Sequence, residues 1–512
     1  MFKSRRNKEV LRSVTSHLRI FPRKTLTPPS YDIEVIPYTF SHISLLPDEI
    51  LAEIFETTRD LAEADAEDML HMRKCRDSPR VPLVVSLVCS QWRRVSFTHP
   101  LLWSHLNISP PWTLGMIRFW LEKSKSCPLH LHFMAHIADR GPGRRRYLVG
   151  WNGSSILTED WTRCRDLALR SFPSLYHILF DHLPRCRSIT FHVSNDFSAI
   201  ISRFIEEFNK DPAVLPLLHR FSLQTQSIRG RQSIVKTELF AKGGAPRLTD
   251  VNMGYPFLLP SFSQVTSLHI RADFFTFAEF WKIMPQFRRL RLLALYDDFK
   301  DHWPAMGQGL TRSLVCQLPS LLSLHFYNFP HISEFLLFVT APNLHDLVMG
   351  SVRRDSLTVF YEQQRSEGER FPLLRTITMT IHRESGALLL YGSKCFPMVE
   401  EATIYGDNIL RTLPDLLAIC DEVVWPRLGA LAIIGGSRSL SGQEGQDMLR
   451  EIIDSRDAEG VPLRKIWLDP KVVGEMDASF VDWLKDSVEL VVKDVWKDTR
   501  RGGLYYPNRS FL

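Results

Sequence analysis

Residues Leu318-Pro319-Ser320-Leu321-Leu322-Ser323-Leu324-His325-Phe326 set a pattern that the chain repeats: apolar, Pro, any residue, Leu, two variable residues, then apolar-x-apolar. Further copies occupy 183–191, 215–223, 245–253, 341–349, 371–379, 396–404 and 425–433. Weaker copies centre on Leu167, Leu268, Leu290 and Ile466. Alternation over the last three positions suits a strand with one buried face. A Pro ahead of it ends the preceding helix and has no place inside a central ladder. Between copies the sequence turns helical, as in 174–182 and 198–208.

The Leu-x-x-Leu-x-Leu portion resembles the strand of a leucine-rich repeat. The first apolar strand position falls near 167, 189, 221, 251, 268, 290, 324, 347, 377, 402, 431 and 466, in steps of 17 to 35 residues. Regular leucine-rich repeats run about 20–29 residues, so these units are degenerate, with inserted loops. One strand-plus-helix unit cannot bury its apolar face alone, and neighbours must stack. The expected class is α/β: an irregular leucine-rich-repeat solenoid, a horseshoe with parallel strands on its concave face. The alternative is a parallel-sheet α/β domain that is not a solenoid.

Ahead of the repeats stand two helical segments, 44–57 (SLLPDEILAEIFET) and 82–103 (PLVVSLVCSQWRRVSFTHPLLW). Pro47 suits a first helical turn, where Asp48 and Glu49 favour the helix N-terminus. Ile50, Leu51, Ile54 and Phe55 follow with helical spacing, and Leu83, Val84, Leu87, Val88, Trp92 and Val95 do the same. The order Leu-Pro-x-Glu-Ile-Leu-x-x-Ile-Phe, then Val-Cys-x-x-Trp, resembles an F-box, over about 60 residues of 512. The resemblance implies docking onto a Skp-type adaptor, and through it a cullin, by Leu46, Pro47, Ile50, Leu51, Ile54, Phe55, Val88, Cys89 and Trp92. A charged insertion at 57–81 departs from a compact F-box and resembles the F-box-like proteins of mushroom-forming fungi. It is expected to loop out or extend the first helix without joining the core.

With 63 Lys and Arg against 57 Asp and Glu, the net charge of +6 is mild for this length and gives no footprint of nucleic-acid binding. The longest apolar runs are too short to span a membrane. Eight cysteines without a Cys-x-x-Cys pair read as reduced thiols, and the expected location is cytoplasmic or nuclear. The expected organisation is a basic tail at 1–40, the F-box-like module at 41–110, a linker or cap at 111–160, repeats at 161–470, and a C-terminal cap and tail at 471–512.

No phosphate-cradling Gly-x-x-x-x-Gly-Lys, zinc-protease His-Glu-x-x-His or Gly-x-Ser-x-Gly elbow occurs. His130, His132 and His136 lack a Cys or carboxylate in register for a metal set. No catalytic residue, cofactor or metal is expected. A substrate is expected on the concave strand positions Arg220, His269, Arg271, Arg288, Arg289, Arg291, His325 and Tyr327. Arginine matches carboxylate and phosphate forks, so the expected partner is an acidic or phosphorylated protein segment. The function the resemblance implies is substrate recognition within a cullin–RING ubiquitin ligase. The alternatives are a protein-interaction scaffold without ubiquitin transfer and, last, an enzyme with a site hidden in the repeats.

Overall fold

The computed structural model describes residues 42–71, 81–110, 113–138, 147–149, 155–194, 198–210, 215–226, 240, 244–254, 264–299, 315–352, 357–367, 370–381, 386–406, 424–434 and 440–492. The class is α/β, with helices and a large parallel sheet. Two compact units divide the chain, Met1–Phe204 and Ile205–Leu512, with the boundary inside the helix α6 (Ser198–Lys210).

The first unit opens with helices α1 (Asp48–His71), α2 (Val81–Ser86) and α3 (Ser90–Thr98). They close on Leu51, Ala52, Phe55, Val81, Val85, Val95, Leu102 and Trp103, all buried. Trp103 donates from Nε1 to the Ser96 carbonyl at 2.7 Å, and its ring meets Phe119 and Trp120 of α4 (Leu114–Ser124) edge-on. The insertion does extend the first helix, because α1 runs on to His71; residues 72–80 lie outside the described ones. Its first residues are not free of the core, however. Arg59 is buried, pairs with Asp60, and donates to the Leu101 carbonyl. A guanidinium taken out of water needs such acceptors, and the turn before the first strand supplies them.

Strand β1 (His105–Ile108) lies parallel to β2 (Leu129–Ala138), which lies parallel to β5 (Cys186–Ser194). The short β3 (Tyr147–Val149) and β4 (Ser155–Leu157) add antiparallel to β2. The stretch 111–160, expected to be a linker or a cap, holds the three strands β2, β3 and β4. The helix α5 (Thr158–Phe180) contains Leu167. That position is helical, not the start of a strand: 158–180 is one unbroken helix in which Leu167 is half exposed, and the apolar contacts come from Phe172, Leu175 and Leu179. Phe133, Phe172, Phe191 and Phe204 form an aromatic core with ring centroids 4.6–5.5 Å apart.

The second unit is a ladder of parallel strands in chain order: β6 (Arg220–Gln226), β7 (Asp250–Gly254), β8 (Ser267–Arg271), β9 (Leu292–Tyr296), β11 (Ser323–Tyr327), β13 (Asp346–Val352), β14 (Thr376–Ile381), β15 (Glu401–Tyr405), β16 (Ala430–Ile434), β17 (Lys465–Leu468) and β18 (Glu489–Val492). A separate two-stranded pair joins β10 (Cys316–Gln317) to β12 (Val339–Thr340). Leu324 and Phe326 and their register partners, such as Leu293 and Leu295 or Leu347 and Met349, are buried on one face. Helices cover that face: Phe335 of α8 (Ile332–Phe338) meets Phe326 at 5.3 Å and Phe280 of α7 (Phe277–Ile283) at 6.2 Å. The helices α9 (Thr358–Glu367), α10 (Gly386–Cys395), α11 (Gln443–Ala458), α12 (Pro470–Glu475) and α13 (Ala478–Ser487) follow in the later units.

The apolar-Pro-x-Leu signature has a definite local structure. The fourth residue donates its N–H to the carbonyl of the first, as in Leu321 to Leu318, Leu344 to Ala341, Leu374 to Phe371 and Leu428 to Trp425. Proline therefore occupies the second position of a turn, where its fixed φ is favourable and its missing N–H costs nothing. Two residues after the turn Leu, the chain enters the sheet through a repeated bond. The carbonyls of His219, Thr249, Thr266, Arg291, Leu322, His345, Arg375, Glu400 and Gly429 each accept two consecutive N–H groups from the next repeat. Leu290 belongs to this turn and donates to the Phe287 carbonyl; the strand begins at Leu292, and its first inward-facing leucine is Leu293, three residues after Leu290 and paired to Leu268. The stretch after 471 also continues the ladder, through β18.

Candidate functional site

Two surfaces stand out. The first belongs to the helical module. Glu49, Glu53 and Asp60 take one side of α1, while Leu51, Ala52, Phe55 and Arg59 take the buried side. Ile50, Ile54 and Leu61 share a third stripe and remain exposed at 43%, 40% and 55%. Val84, Leu87 and Val88 at the end of α2 are exposed as well, at 55–63%. The starts of α1 and α3 are clamped together. Gln91 donates to the Leu46 carbonyl and Asp48 Oδ1, and Arg94 grips both oxygens of Asp48 at 2.9–3.2 Å. The Gln91 hydrogen bond, with Arg94, holds the Asp48 carboxyl below the usual range. Cys89 is exposed at the cap of α3, where its sulfur accepts from the Trp92 N–H.

The nine expected adaptor residues therefore separate. Pro47, Ile50, Ile54, Val88 and Cys89 are exposed and Leu46 is half-buried, whereas Leu51 and Phe55 are interior and Trp92 stacks edge-on against Phe55 at 4.9 Å. Leu51 and Phe55 cannot meet a partner because they fill the module's own core. Ile43, Leu45, Leu61, Val84, Leu87 and Leu101 are exposed apolar residues that the motif reading left out.

The second surface is the sheet face opposite the helices in the second unit. Strand alternation places Arg220, His269, Arg271, His325 and Tyr327 there, as expected. It is not a basic face. Arg220 pairs with Asp250 at 3.1 Å, Arg271 with Asp273 at 2.6 Å and Asp297 at 3.2 Å, Arg375 with Glu400 at 3.1 Å, and Lys465 with Glu489 at 2.7 Å. Carboxylates alternate with the bases and cancel their field. Arg288, Arg289 and Arg291 are not on a strand at all. With the register counted from Leu293, the first two sit on the turn 287–290 and Arg291 just precedes β9.

The centre of this face is aromatic and hydrogen-bonded. Tyr296 and Tyr327 stack at 4.8 Å, with Ala294, Val348 and Leu292 packed beside them. Ser323 donates to Asp346 Oδ2 at 2.5 Å; His325 Nε2 lies 2.7 Å from Ser323 Oγ, and the Tyr327 hydroxyl lies 3.2 Å from His325 Nδ1. His269 bonds the Tyr296 hydroxyl at 3.2 Å, and burial, reinforced by His325 and Arg220, pushes its pKa down to about 3, so it is neutral. A Ser-His-Asp set invites comparison with acyl-transfer triads, in which carboxylate and hydroxyl bind opposite imidazole nitrogens. Here Asp346 and Ser323 both meet Nε2 and Tyr327 occupies the other nitrogen, so the arrangement lacks triad geometry. Tyr296, Ser323 and Asp346 were outside the expected site; counting the strand from Leu293 would have put Tyr296 level with Tyr327.

His105 stacks on His130 at 4.2 Å in the first unit. Burial first, and then the nearby Arg59 charge, drives both pKa values down to about 3, with His105 and Arg187 adding to the effect on His130. Among the described residues no group of three or more His, Cys, Asp or Glu is placed to hold a metal, and no helix is long and apolar enough to cross a membrane. Compared with known proteins, the chain matches no family model and no curated protein.

Proposed function

We propose that the chain is a substrate-recognition subunit of a cullin–RING ubiquitin ligase. The helical module docks on a Skp-type adaptor as an F-box does, and the repeated unit holds a protein substrate as a leucine-rich-repeat solenoid does. One observation carries this reading. The module completes its own core with Leu51, Phe55 and Trp103, yet leaves Ile50, Ile54, Val84, Leu87 and Val88 in solvent. Exposed apolar side chains grouped on two helices of one small module are what an interaction site offers. An interface centred on such residues takes most of its affinity from a few of them, each worth about 2 kcal/mol or more on truncation.

The test is capture of a recombinant Skp-type adaptor by the full chain. Ile54→Asp and Leu87→Asp should each abolish capture while far-ultraviolet circular dichroism shows the chain still folded, because the two residues are already 40% and 63% exposed to solvent. Capture that survives both substitutions would overturn the reading. Adaptor capture without ubiquitin transfer to any bound protein would leave the scaffold function instead.

A further inference from the structure

Arg247, Arg288, Arg289 and Arg291 stand apart from Arg220 and Arg271, the strand arginines already matched to carboxylates. Val251, Leu268 and Leu293 are register partners on β7, β8 and β9. Four residues before each stand Arg247, Gln264 and Arg289, so the three hold equivalent places on neighbouring repeats, with strands about 4.8 Å apart. Arg289 Nη1 donates to Gln264 Oε1 at 2.6 Å, so side chains of this row meet. Two hydrogen-bonded turns present them, Leu248 N–H to the Ala245 carbonyl and Leu290 N–H to the Phe287 carbonyl. All four arginines are exposed, and among the described residues none of them has a carboxylate partner.

We propose that this turn edge, made of Arg247, Gln264, Arg288, Arg289 and Arg291, binds an acidic, carboxylate-rich segment of a partner protein. This names a substrate class for the repeated unit and rests on the reading of that unit as the substrate-holding part. Guanidinium forks take carboxylates two bonds at a time, and guanidiniums on adjacent turns reinforce one another's field. A long polyanion such as nucleic acid fits worse. Laid along the strands it meets Asp250 at their start and Asp273, Asp297 and Asp298 beyond their far ends. A short acidic segment lying across the turns avoids the three at the far ends and has only Asp250 nearby, which is already paired with Arg220.

The experiment measures fluorescence anisotropy of a labelled oligoglutamate peptide, an oligoglutamine counterpart and a single-stranded oligonucleotide with the full chain. Oligoglutamate binds, oligoglutamine does not, and added salt weakens the binding as it screens exposed charges. Arg247→Ala with Arg289→Ala weakens oligoglutamate binding by roughly tenfold or more, about the worth of one charge-assisted pair. Arg427→Ala serves as the control: it occupies the same turn position four residues before Leu431, is exposed, and should change binding by less than about twofold. Equal binding of oligoglutamine, an equal loss from Arg427→Ala, or tighter binding of the oligonucleotide through the same arginines would each overturn the proposal. No adaptor enters the assay, and adaptor capture is measured separately on the same variants. Failure here therefore leaves the docking of the helical module standing or falling on its own result.

Discussion

At the scale of single residues, the most consequential side chain is one that never reaches solvent. Arg456 of α11 is buried and donates to the carbonyls of Val424, Trp425 and Leu428 at 2.9–3.1 Å. It staples the turn that launches β16. Burial lowers its pKa, but a guanidinium stays charged and keeps its donors. Arg456→Leu should cost about 3 kcal/mol or more, because carbonyls are stranded as well as bonds lost; a urea unfolding midpoint equal to wild type would refute this. Gly350 is constrained differently. An added Cβ would lie 3.1 Å from the Phe326 carbonyl oxygen and 3.3 Å from a Tyr327 ring carbon. Gly350→Ala should therefore destabilise by about 1–3 kcal/mol, read as a lower melting temperature, and should disturb the Tyr296–Tyr327 stack in near-ultraviolet circular dichroism.

At the scale of elements, a repeat divides its leucines into those that hold and those that do not. Leu324 is fully buried between Leu293 and Leu347, and Leu324→Ala should cost about 2–5 kcal/mol. Leu373 lies in a turn and is 37% exposed, so Leu373→Ala should change stability by no more than about 0.5 kcal/mol. Denaturant titration of the pair tests the contrast. The strands were legible in the sequence wherever Pro fixed the turn, as at 318–326 and 341–349. Where the turn reads Phe287-Arg288-Arg289-Leu290, no Pro marks it, and the turn leucine passes for a strand leucine. That three-residue slip carried Arg288, Arg289 and Arg291 onto the wrong surface. Leu167 misled for a related reason: Leu167-Ala168-Leu169 offers two leucines at strand spacing and the right interval, but they lie in the middle of the helix Thr158–Phe180, with no Pro turn ahead of them. In the module, helical periodicity separated apolar from polar residues but not the two apolar stripes of α1. Only packing decides that Leu51 and Phe55 go inward while Ile50 and Ile54 stay out.

At the scale of the whole molecule, three partly buried histidines pull stability down in acid, while Asp250 and Asp273, whose pKa values burial raises, pull the other way. His105, His130 and His269 each have a folded pKa near 3, against an ordinary value of 6.5, because burial disfavours the imidazolium. The unfolded chain therefore binds more protons between those values, and stability falls as pH drops from 6.5 towards 3, by at most about 1.4 kcal/mol per pH unit for each histidine. Melting temperatures recorded across that range should decline. The His105→Phe/His130→Phe double variant should decline less steeply, and an unaltered slope would exclude these two groups as the cause. The row of carbonyls that receives each new strand has a different kind of consequence. The paired bond is made by main-chain N–H groups, with the Thr249 and Thr266 hydroxyls only adding to it, and the residues supplying those carbonyls are His219, Thr249, Thr266, Arg291, Leu322, His345, Arg375, Glu400 and Gly429. Charge, size and polarity at that position are thus not dictated by the main-chain ladder, although Arg375 and Glu400 use it for an ion pair. A chain built this way can exchange one set of outward side chains for another and address a new partner without relearning how to fold.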